Sequence, residues 1–401
     1  MFGAGSGVGW NSCHLCQALV SGVAGCVAEC QVSGERVGLF ICCLRGSNPQ
    51  LGMKLLFLAS LRLPTGNRTT AQRISKYIQS SGHICILRDI AEFKSPSQVS
   101  DLINEQKFEA VMTIHLYKGG KLLLGSNVPY GVIFGGTDIN EDIQDEKKHE
   151  VMETVLQKSR FLVAFTDQLK KTAEMHWPFA SSKIHVQPQA IVTKPSTKFN
   201  WEEFLQSSGI HCKNIEAYVF LLVCGLRRVK DPLFLVDAFS AWHKKDPRVY
   251  LIIIGPEVDV AFTQQVKAKV KNASGICLVS EKPQEELHAA MRNSFAVVNS
   301  SISEGMSSAI LEAMDLNVPV LARNIPGNIA IVKHEHTGLL FFDPSVQSTD
   351  VGVEIESIVR CFDHENYSVQ FVSNFLERIC YCIDPAKVAT FSWSTCDCIE
   401  K

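Results

Sequence analysis

Two glutamates with seven residues between them stand at the start of a predicted helix, in the stretch SEGMSSAILEAM (303–314). The apolar run FAVVNS (295–300) comes just before it, so the chain leaves a strand through a short loop and enters a helix. Glu304 stands in that loop, where its carboxylate could hold hydroxyl groups. Glu312 lies about two turns further on, roughly 80° around the axis. A carboxylate there could accept two hydrogen bonds from a vicinal diol such as that of ribose.

The start of the same helix is suited to an anion. Its unpaired N–H groups carry about half a positive charge, and Gly305 with the small Ser307 would let a phosphate approach the backbone. Two structural alternatives remain open. Ser301 and Glu304 have the spacing of a capping box, which stabilises a helix without any ligand. Glu312 could also be a solvated residue on the outer face of the helix.

A second loop supplies positive charge. The sequence CGLRRVKDP (224–232) follows a strand-like run and places Arg227, Arg228 and Lys230 ahead of another helix. Guanidinium and ammonium groups suit a diphosphate, the first as a fork and the second as a point charge. The alternative is that these are exposed loop cations. A diol acceptor, phosphate donors and a helix dipole within one predicted domain together indicate a site for a nucleoside diphosphate.

The composition is that of a globular protein, with 401 residues, 46% of them hydrophobic and 20% charged, and a formal net charge of −2. This balance gives no overall attraction for nucleic acid or for an anionic membrane, so we expect neither as a partner. No apolar run reaches the roughly 18 residues of a membrane span. The run MKLLFLASL (53–61) is interpreted as a buried first strand, with a signal peptide as the alternative.

The 15 cysteines are unevenly spread. Six fall in the first 52 residues and five near the C-terminal end, which leaves four scattered through the body of the chain. Such a body is typical of a reduced, intracellular protein. We therefore expect a cytoplasmic location, or secretion if residues 53–61 act as a signal peptide. Cys13 and Cys16 could form half of a zinc site, but an unstructured extension is the better interpretation.

Short apolar runs alternate with polar helical segments along most of the chain. After an irregular break at 193–216 the alternation begins again. The runs are 54–60, 83–87, 110–115, 130–136, 160–166, 218–225, 249–255, 276–280, 295–300, 318–323 and 338–342. Continuous apolar strands alternating with helices indicate parallel sheets covered on both faces. We predict an α/β protein with two Rossmann-like, doubly wound domains that face a central cleft, where ligands of such folds bind.

The same pattern predicts the domain boundaries. Residues 1–52 are an N-terminal extension, expected to be disordered, and residues 53–200 form the first domain. Residues 201–216 are a linker and residues 217–345 the second domain. Residues 346–401 are a divergent tail in which the alternation fails.

The block from KPQEEL to TGLLF (282–341) resembles the C-terminal half of the retaining family 4, or group 1, glycosyltransferases. Glu304 and Glu312 match the Glu-x7-Glu signature of that family. The resemblance extends from about residue 53 to residue 345 and is weaker in the first half. It implies the GT-B type of fold, a nucleotide-sugar donor, and transfer of the sugar to an acceptor that the sequence does not identify.

The resemblance implies roles for matching residues of the second domain. Arg227 and Lys230 match the basic pair that stabilises the leaving diphosphate. Glu304 matches the acid that faces the donor sugar, and Glu312 the acid that binds the ribose diol. Backbone amides of the turn after Glu304 would lie near the donor. The implied donor-binding residues are Gly66, Asn67, Gly305, Met306, Ser307 and Glu312.

In the first domain, PTGN (64–67) resembles the glycine loop after the first strand. His115 resembles the family's histidine near the anomeric centre, acting through its side chain or its carbonyl. The segment GGTD, with Gly135, Gly136 and Asp138, resembles one that carries another cleft residue. The structural alternatives are an inert, hydrogen-bonded His115 and a simple turn at GGTD.

The resemblance further implies retention of anomeric configuration, with no metal and no cofactor beyond the donor. Glu257 and Asp259 are a weaker, alternative metal pair. Ala330 stands where many family members have a glutamate, and the family's C-terminal helix is not recognisable after residue 345. These departures support a second hypothesis, a nucleotide-sugar-binding or regulatory protein that has lost transfer. An epimerase of the same fold is a third, although it would need an acid/base pair that is not evident.

Overall fold

The described residues of the computed structural model are 52–62, 66–211 and 217–341. The predicted extension with Cys13 and Cys16, and the predicted tail, lie outside these residues. So do Pro64 and Thr65 of the glycine loop. The domain boundaries stay predictions.

Six parallel strands form the first sheet, in the order β2-β1-β3-β4-β5-β6. They are β1 Lys54–Ala59, β2 Ile84–Asp89, β3 Ala110–Ile114, β4 Tyr130–Ile133, β5 Phe161–Ala164 and β6 Ile184–Val186. The strand order reverses between β1 and β3. In a doubly wound sheet this point opens a crevice at the carboxyl ends of the strands.

Helices connect these strands and cover the sheet. They are α1 Gly66–Ser80, α2 Pro96–Gln106, α3 Gly136–Asn140, α4 Glu146–Lys158 and α5 Asp167–His176. Short 3-10 turns lie at Ile90–Glu92, Gly120–Leu123, Asp142–Gln144 and Pro178–Lys183. Helix α5 begins after Thr166, whose Oγ1 accepts a hydrogen bond from the N–H of Leu169 at 3.1 Å, as expected of an N-cap.

The second sheet also has six parallel strands, in the order β12-β11-β10-β7-β8-β9. They are β7 Tyr218–Val223, β8 Val249–Ile254, β9 Ile276–Val279, β10 Ala296–Asn299, β11 Val320–Arg323 and β12 Leu339–Phe341. Here the order reverses between β7 and β10. Two parallel, helix-covered sheets confirm the predicted fold class.

The helices of the second half are α6 Trp201–Ser207, α7 Val236–Lys245, α8 Val260–Lys271, α9 Gln284–Asn293, α10 Ser308–Asp315 and α11 Pro326–Ile329. Short 3-10 turns lie at Arg228–Lys230 and Pro232–Leu235. Among the described residues, no helix is both long enough and apolar enough to cross a membrane.

The central strands explain why the sequence shows continuous apolar runs. Leu55, Leu56, Phe57 and Leu58 of β1 are all fully buried. A strand with helices on both faces has no solvent side, so alternation of apolar and polar residues disappears. Because helices cover both faces of the sheet, ligand contacts are left to the loops at the ends of the strands.

One segment differs from the prediction. We expected irregular chain at 193–216, but residues Trp201–Ser207 form α6. The Asn200 side chain caps it by accepting from the N–H of Glu203 at 3.2 Å. Phe204 and Ile210 are buried in the core of the second half. The sequence NWEEFL carried the signal, an N-cap asparagine followed by acids in the first turn.

Candidate functional site

Most of the candidate residues lie at the two points where strand order reverses, and the GGTD segment follows β4. The loops after β1 and β3 lead to Gly66 and His115, and the loops after β7 and β10 contain Lys230 and Glu304. Because all these loops leave the carboxyl ends of parallel strands, they belong to the crevices in which doubly wound folds bind ligands.

The Glu304 carboxylate is anchored by one of its two oxygens. Oε1 accepts hydrogen bonds from Lys230 Nζ at 2.6 Å, Ser301 Oγ at 2.7 Å and Asn299 Nδ2 at 3.4 Å. Among the residues that the structure describes, none donates to Oε2. Burial alone would raise the pKa of Glu304, but the charge of Lys230 and these hydrogen bonds hold the pKa below its ordinary value. Glu304 is therefore a carboxylate with one oxygen fixed and the other available.

The capping-box interpretation of Ser301 and Glu304 is wrong. Helix α10 begins at Ser308, and Ser307 is the residue in the N-cap position. The bond between Ser301 and Glu304 joins two side chains within the preceding loop. It holds the carboxylate in the loop and does not satisfy the helix N-terminus.

Three residues that the sequence analysis did not predict support this loop. Asn299 donates from Nδ2 to Ser307 Oγ at 3.1 Å and accepts at Oδ1 from Asn328 Nδ2 at 3.1 Å. A Cβ on Gly327 would lie 2.2 Å from the carbonyl oxygen of Glu304, so only glycine fits there. A polar residue ending an apolar strand, as Asn299 does, was the available signal.

Glu312 is buried, with 5% exposure, so the alternative of a solvated helix residue is wrong. Two side chains of α9 lie beside it: Gln284 makes a side-chain hydrogen bond, and His288 Nε2 is 3.8 Å from Oε2. Burial raises the pKa of Glu312 to about 7, although the charge of Arg73 and the bond to Gln284 oppose the rise. A poorly solvated carboxyl of this kind gains from a polar ligand group that hydrogen-bonds to it.

The three cations of the basic loop have different surroundings. Lys230 is paired with Glu304. The exposed Arg228 places its guanidinium 5.5 Å from the centre of the Phe262 ring. Arg227 is half-buried, and its charge acts on His115 of the first half. Lys230 is thus part of the Glu304 site and Arg227 acts on His115, whereas Arg228 is exposed and packs on Phe262.

The start of α1 faces the start of α10. A Cβ on Gly66 would lie 3.4 Å from Ser308 Oγ, and Asn67 is exposed in the same turn. The carbonyl of Met306, just before α10, accepts from Gln189 Nε2 at 3.1 Å. The predicted donor-binding turns of the two halves are therefore brought together.

Gly136 and Gly305 meet backbone to backbone. A Cβ on Gly136 would lie 2.5 Å from the amide nitrogen of Gly305, which leaves no room for a side chain. Beside this contact, Asn140 Nδ2 donates to Ser303 Oγ at 2.9 Å. The GGTD segment thus contacts the loop that carries Glu304. A Cβ on the preceding Gly135 would be in ordinary contact with the His115 ring.

Asp138 is completely buried and accepts three backbone hydrogen bonds, from the N–H groups of Leu116, Gly135 and Ile139. Burial raises the pKa of Asp138 to about 7, although the three amides oppose the rise. Because its oxygens are used within the first half, the turn alternative describes Asp138 better than a ligand contact does.

His115 has a left-handed backbone, with φ of 84°. Its carbonyl accepts from the N–H groups of Gly119 at 3.1 Å and Gly120 at 3.2 Å. Its Nδ1 accepts from the N–H of Lys118 at 3.1 Å. The ring proton therefore lies on Nε2, which is 3.7 Å from Asp142 Oδ2. The carbonyl is fully used, so only the ring remains for the role that we expected.

The His115 ring is uncharged at neutral pH. Burial, together with the cations Lys118, Lys148 and Arg227, lowers its pKa to about 3. The residue is only 4% exposed. A neutral imidazole at this place carries no charge that would repel a developing cation.

The alternative metal pair has other contacts. Asp259 Oδ1 accepts from the N–H of Phe262 and caps α8. Glu257 Oε1 is 2.5 Å from Lys267 Nζ. Across the described residues, no three His, Cys, Asp or Glu side chains gather as metal ligands.

Solved structures of other proteins have a similar fold. HepE of Anabaena in complex with UDP-glucose has a TM-score of 0.65 at 14% identity, covering 84% of this chain and 97% of that one. Sucrose-phosphate synthase of Thermosynechococcus elongatus has a TM-score of 0.65 at 13% identity, covering 84% and 96%.

Sequence comparison gives the family. The model for "Glycosyl transferases group 1" matches residues 206–360. Glycosyltransferase 1 domain-containing protein 1 of Xenopus tropicalis is 56% identical over 292 residues, which are 73% of this chain and 84% of that protein. A galactosyltransferase of Escherichia coli that uses UDP-Gal is 26% identical over 169 residues, 41% of this chain and 40% of its own. This chain, with its Glu-x7-Glu pair at the second crevice, belongs to the group 1 glycosyltransferases.

Proposed function

We propose that the protein transfers a sugar from a nucleoside diphosphate donor to an acceptor hydroxyl, with retention of anomeric configuration and without a metal ion. The second half binds the donor and the first half the acceptor. The main support for this proposal is the Lys230–Glu304 ion pair at the second crevice, with 2.6 Å between Nζ and Oε1, followed by the buried Glu312 on the next helix.

The ion pair supports this function through charge. A donor diphosphate brings negative charge that attracts Lys230 and the half-buried Arg227, and both stabilise it further as the bond to the sugar breaks. Glu304 keeps its anchors from Ser301 and Asn299 and offers Oε2 to a sugar hydroxyl. Glu312 accepts the ribose hydroxyls.

Retention determines which face of the anomeric carbon the acceptor attacks. The bond between the anomeric carbon and the diphosphate oxygen breaks, and the acceptor oxygen bonds to the same face of that carbon. The departing diphosphate oxygen lies on this face and takes the acceptor's proton. The positive charge on the anomeric carbon forms near the neutral ring of His115, which does not repel it.

The same proposal assigns the other partners. Lys230, Arg227 and the start of α10 supply the positive charge that a metal would otherwise provide, so no cofactor is needed besides the donor. We expect no nucleic acid partner, because the net charge is −2. We place the protein in the cytoplasm, since Cys85, Cys224 and Cys277 are free thiols.

The test begins with calorimetric titration of UDP- and GDP-sugars into the wild type and the Glu312→Ala variant. Saturable binding that is lost in the variant supports the donor site and identifies the base. Product analysis by NMR with EDTA present then tests transfer, with an α-linked donor expected to give an α-linked product. Hydrolysis of the donor without transfer, or loss of activity with EDTA, contradicts the corresponding part of the proposal.

A further inference from the structure

Helices α1 and α10 meet at their first turns. The contact lies between Gly66 and Ser308, at the first turn of each helix. Arg73 comes seven residues after Gly66 and so lies on nearly the same face of α1, about 20° away. Glu312 comes four residues after Ser308 and lies about 40° from it on α10. Arg73 of the first half therefore lies about two turns beyond this contact and Glu312 of the second about one turn beyond it, each close to the side of its helix on which the contact lies.

The Arg73 guanidinium is held in place by polar contacts. Its Nη2 donates to Thr70 Oγ1 and to Gln189 Oε1, both at 3.2 Å. Gln189 in turn donates from Nε2 to the carbonyl of Met306 at 3.1 Å. The Gln189 side chain thus links Arg73 to the turn that precedes α10.

Arg73 is a cation that acts on Glu312 from across the cleft. Burial raises the pKa of Glu312, and the Arg73 charge is the first influence that opposes the rise. The reverse effect is present too, since burial lowers the pKa of Arg73 and the Glu312 charge opposes that. An arginine keeps its proton at any working pH, so this charge is permanent.

The other groups that face Glu312 do not replace this charge. Asp315, on the same helix, raises the pKa of Glu312, and Gln284 of α9 is neutral. His288 of α9 has its pKa lowered by burial, and its Nδ1 accepts from the N–H of Lys194 at 3.0 Å. Among the described residues that act on Glu312, Arg73 alone brings a full positive charge.

We propose that Arg73 is a positioning residue of the donor site, which favours the charged form of Glu312, the form that accepts the donor's diol. This inference rests on the proposed function, in which Glu312 binds ribose. It has a consequence for the whole molecule. Because Arg73 belongs to the first half and Glu312 to the second, full donor affinity requires the two halves to be in contact.

The test compares nucleotide affinity across pH. UDP and GDP are titrated by calorimetry between pH 6 and 9 into the wild type, Arg73→Met, Arg73→Lys and a control, Lys76→Met, whose side chain is exposed on the same helix. In the wild type, affinity rises with pH as Glu312 ionises. In Arg73→Met we expect the midpoint of that rise to move up by about one pH unit, which is about a tenfold loss of affinity below the midpoint. In Arg73→Lys the midpoint should lie close to that of the wild type, and in Lys76→Met it should not move.

The outcomes separate the two proposals. If the wild type binds and the midpoint of Arg73→Met is unchanged, the role of Arg73 is overturned while the donor site stands. If the folded wild type binds neither nucleotide, the donor site itself fails, and this inference with it. Urea unfolding at pH 8 without nucleotide gives an independent check on Arg73→Met, Glu312→Gln and the double variant. Strictly additive effects there also overturn the role of Arg73.

Discussion

The loops that follow β3 and β10 lie at equivalent places in their sheets, but their polar and charged side chains have opposite kinds of partners. After β10, Glu304 pairs with Lys230 and keeps one oxygen available for a ligand. After β3, His115 and the neighbouring Asp138, which belongs to α3 after β4, accept hydrogen bonds mainly from backbone N–H groups of their own half. In the proposed function, the second half exchanges an internal ion pair for a ligand. The first half uses its buried polar groups to fix backbone shape.

This difference follows from the hydrogen bonds or ion pair that each group would give up on contacting a ligand. A buried carboxyl that accepts three backbone amides leaves three unpaired donors if it turns to a ligand, at a cost of about 1–3 kcal/mol each. Lys230, by contrast, loses one carboxylate in the proposed donor complex and gains a diphosphate of greater charge. We therefore expect ligand binding and chemistry at the second crevice. At the first crevice we expect the buried polar groups to fix the backbone conformation.

The largest effect should come from Lys230→Ala. Removing the cation leaves Glu304 without its ion-pair partner and the leaving diphosphate without its point charge, so we expect kcat to fall by about 10²–10³-fold or more. The free energy of unfolding should also drop, by roughly 3 kcal/mol. Activity assays and urea unfolding measure the two effects. Arg228→Ala, in the same loop but packed on Phe262, is the control and should keep nearly full activity.

Asp138→Ala tests the opposite side of the comparison. Three backbone N–H groups lose their acceptor, so we expect the free energy of unfolding to drop by at least about 3 kcal/mol. Nucleotide affinity of the folded fraction should be unchanged. Asp138→Asn keeps one acceptor oxygen and should be less damaged. A variant that is stable but fails to bind nucleotide would give Asp138 a ligand role after all.

Glu312→Gln should stabilise the empty protein at high pH. The pKa of Glu312 is raised from the ordinary 4.5 to about 7 in the folded protein, so the folded state holds a proton that the unfolded chain releases. The wild type therefore loses stability as pH rises from about 4.5 to about 7, by on the order of 3 kcal/mol, and the glutamine variant avoids this loss. Thermal unfolding at pH 4.5 and pH 8 measures it. A variant with no greater advantage at pH 8 than at pH 4.5 would contradict the raised pKa.

The smallest effect concerns the pH profile of His115→Gln. The pKa of His115 is lowered to about 3, so the ring stays neutral throughout the working range. We expect kcat to fall by up to about tenfold through lost packing and positioning. The shape of the profile between pH 5 and 9 should be the same as in the wild type. An inflection present in the wild type and absent in the variant would show that His115 titrates during the reaction.

Much of the fold could be predicted because its signal is local. Buried parallel strands need apolar residues on both faces, so the runs around Leu55 and Ile252 could be read directly. The short β6, Ile184–Val186, was not predicted, since three residues carry too little pattern. The helix at Trp201 was missed because its apolar face is brief and only its cap marks it.

The site was predictable only where one segment carries the whole signal. Glu304 and Glu312 belong to one short stretch, and their spacing pointed to a ligand. The partnership of Glu304 with Lys230 joins loops 74 residues apart in sequence, so no spacing reveals it. Arg73 was missed for the same reason. The inward orientation of His115 depends on its positive φ, which is uncommon outside glycine and is set by the surrounding loop.

The contact between Gly136 and Gly305 bears on conformational entropy. Two ordinary residues that meet across a cleft must each settle into a single rotamer, which opposes the approach. Two glycines have no rotamers to lose. At this pair of residues the two halves therefore meet without ordering a side chain of either one, and the side-chain entropy lost nearby is confined to neighbouring contacts such as Asn140–Ser303.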